Sequence, residues 1–178
     1  MIRLVTLGKF PDEVLDHVAR RVNAAYGIGC EIEGEAELPD GALSDDQATY
    51  DAVKLLDEIE DETQLFADDK VVYLTTVPLA TPDGPMGKGP VSGYPQFGAG
   101  KAVVTSHGLG GKGELALDAG LAKRTAHHVG HLWELHHCFD PRCSMHPEWS
   151  PGFTQYPEVV LCLYDRDKSE RKIKVGQS

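Results

Sequence analysis

The sequence predicts an α+β fold within one domain of 178 residues. A chain of that length is long enough to bury one hydrophobic core. Strand-like and helix-like segments alternate over roughly its first hundred residues, which is typical of helices packed on a sheet. Hydrophobic residues make up 41% of the chain and charged residues 25%, which is the composition of an ordinary globular protein rather than a disordered or fibrous one.

The first predicted elements have clear local signals. Ile2–Leu7 is a short apolar run, as expected of a buried strand. Pro11 and the two acidic residues after it open a helix, and Gly27 supplies its C-terminal cap. Apolar residues then alternate with acidic ones, which predicts a half-buried strand with one solvated face. The acidic residues of that strand are Glu31, Glu33, Glu35 and Glu37.

The next segments predict a second helix, two strands and one long loop. Ser44-Asp45-Asp46 begins the helix, which places Tyr50 on its inner face, and Lys70–Val77 forms a strand. Residues 78–100 contain 5 Pro and 6 Gly, which indicates a loop that is functional or mobile. Lys101–Ser106 follows as a strand near a sheet edge.

The charge pattern excludes several classes of partner. The net charge is −11, and residues 31–69 hold 15 of the 28 acidic residues with a single basic one, Lys54. This acidity argues against nucleic acid and anionic membranes, which require a basic face. The longest uncharged apolar run, Val71–Pro82, has 12 residues, whereas a spanning helix needs roughly 20. The N-terminus has no signal-peptide pattern. We therefore expect a soluble cytoplasmic protein that binds neither nucleic acid nor membranes.

A group of histidines is the first candidate site. His127 and His131 are four residues apart, so a helix places both imidazoles on one side, one turn above the other. His137 reaches the same point only if the chain turns sharply after about Trp133. Three neutral imidazoles on one Zn²⁺, with a fourth position open to water, describe a hydrolytic site.

A group of cysteines is the second candidate site. Three of the four cysteines, Cys138, Cys143 and Cys162, lie in the last quarter of the chain. In a cytoplasmic protein such clustering indicates metal or redox chemistry rather than disulfides. Asp165 follows three residues after Cys162 and supplies a fourth ligand for a structural zinc. His136 and His146 are alternative fourth ligands.

Residues 127–162 resemble the archaemetzincins, zinc metalloproteases of the metzincin clan. The run HHVGHLWELHHC, followed by Cys143-Ser144-Met145 and Cys162, is similar to the family pattern H-E-x-x-H-x-x-G-x-x-H-C-x4-C-x-M with a later C-x-x-C. The resemblance implies a single zincin/metzincin-like domain over residues 1–178, with a mixed twisted sheet and long helices. Residues 1–107 would form the sheet and helices. Residues 108–178 would form the metal-binding helix, which is the last long helix, then a Met-turn and a cysteine zinc segment.

The resemblance also implies roles for individual residues. His127, His131 and His137 would bind the catalytic zinc, with Met145 in the turn beneath it. Cys138, Cys143 and Cys162 would bind a structural zinc, with Asp165 in the place of the family's fourth cysteine.

Two further positions depart from the family pattern. His128 stands where the family has the glutamate that acts as general base, a role worth roughly 10²–10⁴-fold in rate. His128 therefore fits two interpretations, a substitute base or a core histidine. Glu134 replaces the glycine at which the chain leaves the helix, where a left-handed backbone costs a side chain about 1 kcal/mol.

These observations predict a zinc-dependent metallopeptidase-like protein that hydrolyses peptide bonds with a zinc-activated water. Its activity would be weakened or lost because His128 replaces the glutamate. Its partner would be a peptide or protein substrate that lies along a sheet edge, such as the strand Lys101–Ser106. The alternative is a non-catalytic metzincin-fold module that binds peptides or proteins and is stabilised by a structural zinc. Zinc is the expected cofactor in both cases.

Overall fold

A mixed sheet of five strands forms the centre of the fold. The computed structural model describes residues 1–45, 47–59, 69–82, 89–111 and 115–176. Across the sheet, the strands are β2 (Cys30–Glu35), β1 (Ile2–Leu7), β4 (Lys70–Thr75), β8 (Lys101–Thr105) and β7 (Gly93–Pro95). The first four are parallel, and β7 is antiparallel to β8. A smaller sheet contains β3 (Tyr50–Asp51), β5 (Leu79–Thr81) and β6 (Gly89–Val91).

Helices cover both faces of the large sheet. One face packs against α1 (Asp12–Tyr26) and α3 (Leu117–Leu132), and the other against α2 (Ala52–Glu58). Successive residues of β1 and β4 alternate between these two cores, because side chains of a strand point to opposite faces. The α+β prediction is therefore confirmed, with an apolar core on each side of the sheet.

Several predicted elements are confirmed with their boundaries. Strand β1 and helix α1 lie where the sequence predicts them, and Gly27 ends α1 in the left-handed conformation at φ +67°. The acidic face of β2 is exposed to solvent as predicted, but the strand is not half-buried, because Ile32 on its other face is 40% exposed. On the acidic face, Glu33 accepts a hydrogen bond of 2.6 Å from Arg3.

The predicted start of the second helix is wrong. Helix α2 begins at Ala52, where the side chain of Asp51 accepts hydrogen bonds from the backbone N–H groups of Val53 and Lys54 at 2.9 and 3.2 Å. Asp51 is therefore the N-cap, and Tyr50 belongs to strand β3 rather than to the helix. Asp46, part of the predicted start, lies outside the described residues.

Strand β8 lies near a sheet edge, as predicted for Lys101–Ser106, but it is not the edge itself, because β7 pairs with β8 and takes that position. The chain from 78 to 100, predicted as a loop, contributes β5, β6 and β7, and residues 83–88 within it are not among the described ones.

Helix α3, which carries the histidines, is followed by α4 (Pro151–Gln155) and by α5 (Leu163–Gly176). It is therefore not the last long helix, which corrects one detail of the predicted architecture. Among the described residues, no helix has the length and apolar character needed to cross a membrane.

Candidate functional site

The last turn of α3 brings two histidine side chains together. The Nε2 atoms of His127 and His131 lie 3.1 Å apart, as expected for positions i and i+4 of a helix. Their Nδ1 atoms bond to backbone carbonyl oxygens at 2.8 Å, that of His127 to Ser144 and that of His131 to Leu135. A carbonyl only accepts, so each Nδ1 carries the proton and each Nε2 presents a lone pair.

A sharp turn brings His137 to the same place. Glu134 has the left-handed conformation at φ +59°, and the N–H of Leu135 donates back to Gly130 at 2.9 Å. The cost of this conformation is offset by helix α5, where Lys172 forms an ion pair with the Glu134 carboxylate and the Lys168 ammonium donates to its carbonyl at 2.8 Å. The predicted turn therefore forms although the glycine is absent.

The three predicted histidines form a group able to hold a metal ion. One ligand atom from each of His127, His131 and His137 lies within 4.8 Å of the others. His137 is exposed, whereas the other two are buried. Nitrogen ligands of a tetrahedral Zn²⁺, with bonds of about 2.0–2.1 Å, are separated by about 3.3 Å. Two lone pairs that face each other at 3.1 Å repel unless a cation lies between them, so this donor set fits zinc.

Burial keeps these imidazoles neutral. It lowers the pKa of His127 to about 4 and that of His131 to about 2, and it also lowers the pKa of His137. The carboxylate of Glu148 opposes this effect at His127 and His137. All three are therefore neutral at pH 7, which is the form that binds metal.

His128, at the predicted general-base position, is buried next to the carboxylate of Glu148, a residue that sequence reasoning missed. Its Nε2 lies 3.6 Å from Oε2 of Glu148. Neither nitrogen of His128 has a hydrogen-bond partner in the described part of the chain. No motif in the sequence marks Glu148, which lies three residues after Met145.

The histidine group opens into a cleft of about 1180 Å³. Strand β7 forms one side of this cleft, and Phe97 and Trp149 line it beside the histidines. The ring of Phe97 lies 6.0 Å from that of His131, and the ring of Trp149 lies 4.7 Å from that of His137. The cleft thus offers apolar walls and the edge strand of the described sheet next to three candidate metal ligands.

The turn beneath the histidines contains Met145, as the resemblance implies. Met145 is fully buried, and a side chain at Gly130 of α3 would overlap its sulfur atom. The Met145 carbonyl accepts a hydrogen bond of 2.8 Å from the N–H of Cys138. This turn therefore joins the histidine group to the cysteine group.

The predicted cysteine group is also brought together. Ligand atoms of Cys138, Cys143, Cys162 and Asp165 lie within 4.8 Å of one another. The sulfur atoms of Cys138 and Cys162 are 3.8 Å apart, which matches the separation of about 3.8 Å for two thiolates on a tetrahedral zinc. Burial raises the pKa of Cys138 to about 11 and raises that of Cys143. The thiols of Cys138 and Cys143 are therefore protonated until a cation displaces their protons.

The two alternative fourth ligands lie elsewhere. His146 bonds to the Cys138 carbonyl at 3.0 Å and to the Ser150 hydroxyl at 2.8 Å. His136 is exposed, with its ring 5.1 Å from that of Phe97. Asp165, in the first turn of α5, is thus the residue placed beside the three cysteines.

Solved structures of archaemetzincins and of a zinc-dependent peptidase have this fold. The archaemetzincin of Methanopyrus kandleri has a TM-score of 0.77 at 23% identity, over 97% of this chain and 94% of that one. A zinc-dependent peptidase from Methanocorpusculum labreanum has a TM-score of 0.75 at 20% identity, over 95% and 100%. The archaemetzincin of Archaeoglobus fulgidus, in complex with malonate, has a TM-score of 0.73 at 15% identity, over 94% and 99%.

No protein-family model matches the chain, and no curated protein is significantly similar to it. The likeness therefore concerns the fold, which is archaemetzincin-like.

Proposed function

We propose that this chain, with its archaemetzincin-like fold, is a cytoplasmic zinc-dependent metallopeptidase-like protein that hydrolyses peptide bonds. The observation that carries the proposal is the convergence of His127, His131 and His137 beside an open cleft. Zinc-dependent peptidases among the structures with the same fold support it. We expect a low rate, because the family's glutamate is replaced by His128.

The histidine group and its neighbours divide three tasks in this proposal. His127, His131 and His137 would hold the zinc ion, which when bound polarises the peptide carbonyl and makes water more acidic. The carbonyls of Ser144 and Leu135 orient two of these imidazoles. His128 would take one proton from the attacking water and deliver it to the leaving amine as the C–N bond breaks.

The substrate would bind along strand β7. This strand ends the five-stranded sheet, so its outer edge can pair with an extended peptide. Its residues line the cleft beside the histidines. This proposal replaces the predicted edge at Lys101–Ser106, which β7 covers.

The cysteine group would hold a second, structural zinc. Cys138, Cys143, Cys162 and Asp165 supply four donors, as structural zinc sites do. The site would join the segment after α3 to the start of α5.

A non-catalytic peptide-binding module is the competing function. Its support is the burial of His128, only 4% of which is exposed, with both ring nitrogens buried. If water in the cleft that His128 lines does not reach its ring nitrogens, this imidazole is a core residue rather than a base.

Zinc content together with peptidase activity tests the proposal. The protein would be loaded with zinc, analysed for zinc per chain, and incubated with a mixture of unstructured peptides whose cleavage is followed by mass spectrometry. We expect two zinc ions and slow cleavage that stops when His131→Ala removes one ion. Two bound ions without any cleavage would favour the binding module, and a single ion that survives His131→Ala would contradict the histidine site.

A further inference from the structure

Glu148 carries a largely buried carboxylate that belongs to neither candidate metal group. Its side chain is 16% exposed, and its Oε2 lies 3.6 Å from Nε2 of His128. That distance exceeds the 2.7–3.2 Å of a typical hydrogen bond, although catalytic hydrogen bonds are often long before substrate binds. Oε1 of Glu148 and both nitrogens of His128 have no partner among the described residues. Buried polar atoms of this kind normally have partners, so the pair requires an explanation.

The strand side of the cleft is shaped to hold this pair. The Ser92 hydroxyl donates a hydrogen bond to Oε2 of Glu148. A side chain at Gly93 would overlap the imidazole of His128 at Nε2 and Cδ2. The neighbouring residues 92 and 93 therefore fix the carboxylate and leave room for the ring.

The charge on Glu148 is maintained despite its burial. Burial alone would raise its pKa, but the neighbouring His128 imidazole and the Arg124 guanidinium lower it. Glu148 is therefore ionised at neutral pH, and its oxygens only accept hydrogen bonds.

An ionised carboxylate selects one tautomer of a neighbouring imidazole. The Nε2 of His128 faces Glu148, so the tautomer with the proton on Nε2 is favoured and Nδ1 keeps a lone pair. A base needs a free lone pair, and a base oriented by a third group is a recurrent arrangement in hydrolases. Glu148 in this way supplies a carboxylate to the site in place of the glutamate that the family has at position 128.

We propose that Glu148 is a positioning residue for His128 and that the two form a carboxylate–imidazole pair in place of the single glutamate of the helix motif. Glu148 holds the proton of His128 on Nε2, which leaves Nδ1 as the acceptor atom, and Ser92 and Gly93 hold the pair in place. The inference rests on the proposed function, since it assigns the proton acceptor of that same site.

The tautomer of His128 can be measured without any enzyme activity. Two-dimensional ¹⁵N–¹H NMR of imidazole nitrogens distinguishes Nε2–H from Nδ1–H, and a His128→Gln sample assigns the signal among the eight histidines. The variants are Glu148→Leu, which removes the acceptor, and Glu148→Gln, whose amide oxygen still accepts. Glu170→Gln, an exposed carboxylate on α5, is the matched control. Ser92→Ala is a milder variant if Glu148→Leu does not fold.

We expect Nε2–H in the zinc-loaded protein, in Glu148→Gln and in the control, and a shift toward Nδ1–H in Glu148→Leu with zinc content unchanged. In a peptidase assay, Glu148→Leu lowers kcat by roughly 10-fold or more with KM within about 2-fold, and Glu148→Gln recovers most of the loss. Ser92→Ala gives a smaller shift of the same sign.

Three results would overturn the assignment: Nδ1–H in the unmodified protein, the same tautomer in Glu148→Leu, or loss of zinc in Glu148→Gln, which would make Glu148 a metal ligand. The expected tautomers in a protein that binds two zinc ions but cleaves nothing would support the pair and contradict the peptidase. Absence of metal from the histidine group would overturn both proposals.

Discussion

The histidine group and the cysteine group lie next to each other in the chain and differ in almost every physical respect. The histidine group has three donors, one of which is exposed, and it faces a cleft of about 1180 Å³. The cysteine group has four donors, two of them buried, and joins the Met145 turn to helix α5. Cys138 follows His137 directly, so one chain segment serves both groups.

This difference indicates a division of tasks. A site with three protein donors leaves a coordination position for water or substrate, whereas a site with four donors is closed. The free energy of metal binding should therefore contribute to chemistry in the first group and to folding in the second. Variants that separate activity from stability test this division.

The largest expected effect is on activity. His131→Ala removes a zinc ligand, so we expect peptide cleavage to fall by roughly 10³-fold or more, because the metal supplies several kcal/mol of transition-state stabilisation. The melting temperature should change little by comparison. Rates and thermal unfolding of the same zinc-loaded preparation check both parts, and unchanged cleavage would remove the histidines from the mechanism.

The next effect is on stability. Structural zinc contributes on the order of 10 kcal/mol in small sites, and loss of even part of this lowers the melting temperature by roughly 10 °C or more in a chain of this size. We therefore expect Cys143→Ser to destabilise the protein far more than His127→Ala does. Calorimetry of both variants is the measurement, and equal melting temperatures would mean that the cysteine group is not structural.

A third variant returns the glutamate of the helix motif. His128→Glu should raise cleavage by roughly 10-fold or more if the general base limits the rate. The nearby Glu148 carboxylate opposes a second negative charge, so His128→Glu combined with Glu148→Gln is the matched comparison. Lack of any gain in either form, with two zinc ions bound, argues against a weakened protease.

The smallest effect concerns the turn that joins the two groups. Glu134→Ala and Glu134→Gly both remove the ion pair to Lys172, and they differ only in the left-handed backbone at φ +59°. We expect the glycine variant to be more stable than the alanine variant by about 1 kcal/mol. Chemical denaturation of both measures the difference, and a more stable alanine variant would contradict a strained turn.

Sequence alone predicted the parts that depend on local spacing. The i, i+4 spacing of His127 and His131 places their nitrogens together on a helix, and Gly27 ends α1 as a left-handed cap. The position of Asp165 beside the cysteines also agrees with its three-residue spacing from Cys162. These features need only a few neighbouring residues to form.

Features that depend on long-range packing could not be predicted. The helix start at Ala52 follows from Asp51, whose capping bonds compete with the Ser-Asp-Asp signal upstream. The interior position of β8 depends on β7, whose residues lie in a Pro- and Gly-rich segment that has no strand pattern. Glu148 lies beside His128 because the Met145 turn folds under α3. The spacing of residues along the chain could not predict that contact.

The central claim is that one chain holds two metal ions with different tasks. Elemental analysis of the zinc-loaded protein and of its His131→Ala and Cys143→Ser variants tests it most directly. We expect two zinc ions per chain in the unmodified protein, and one in His131→Ala with a melting temperature close to the original. A single ion in the unmodified protein, retained in His131→Ala, would contradict it.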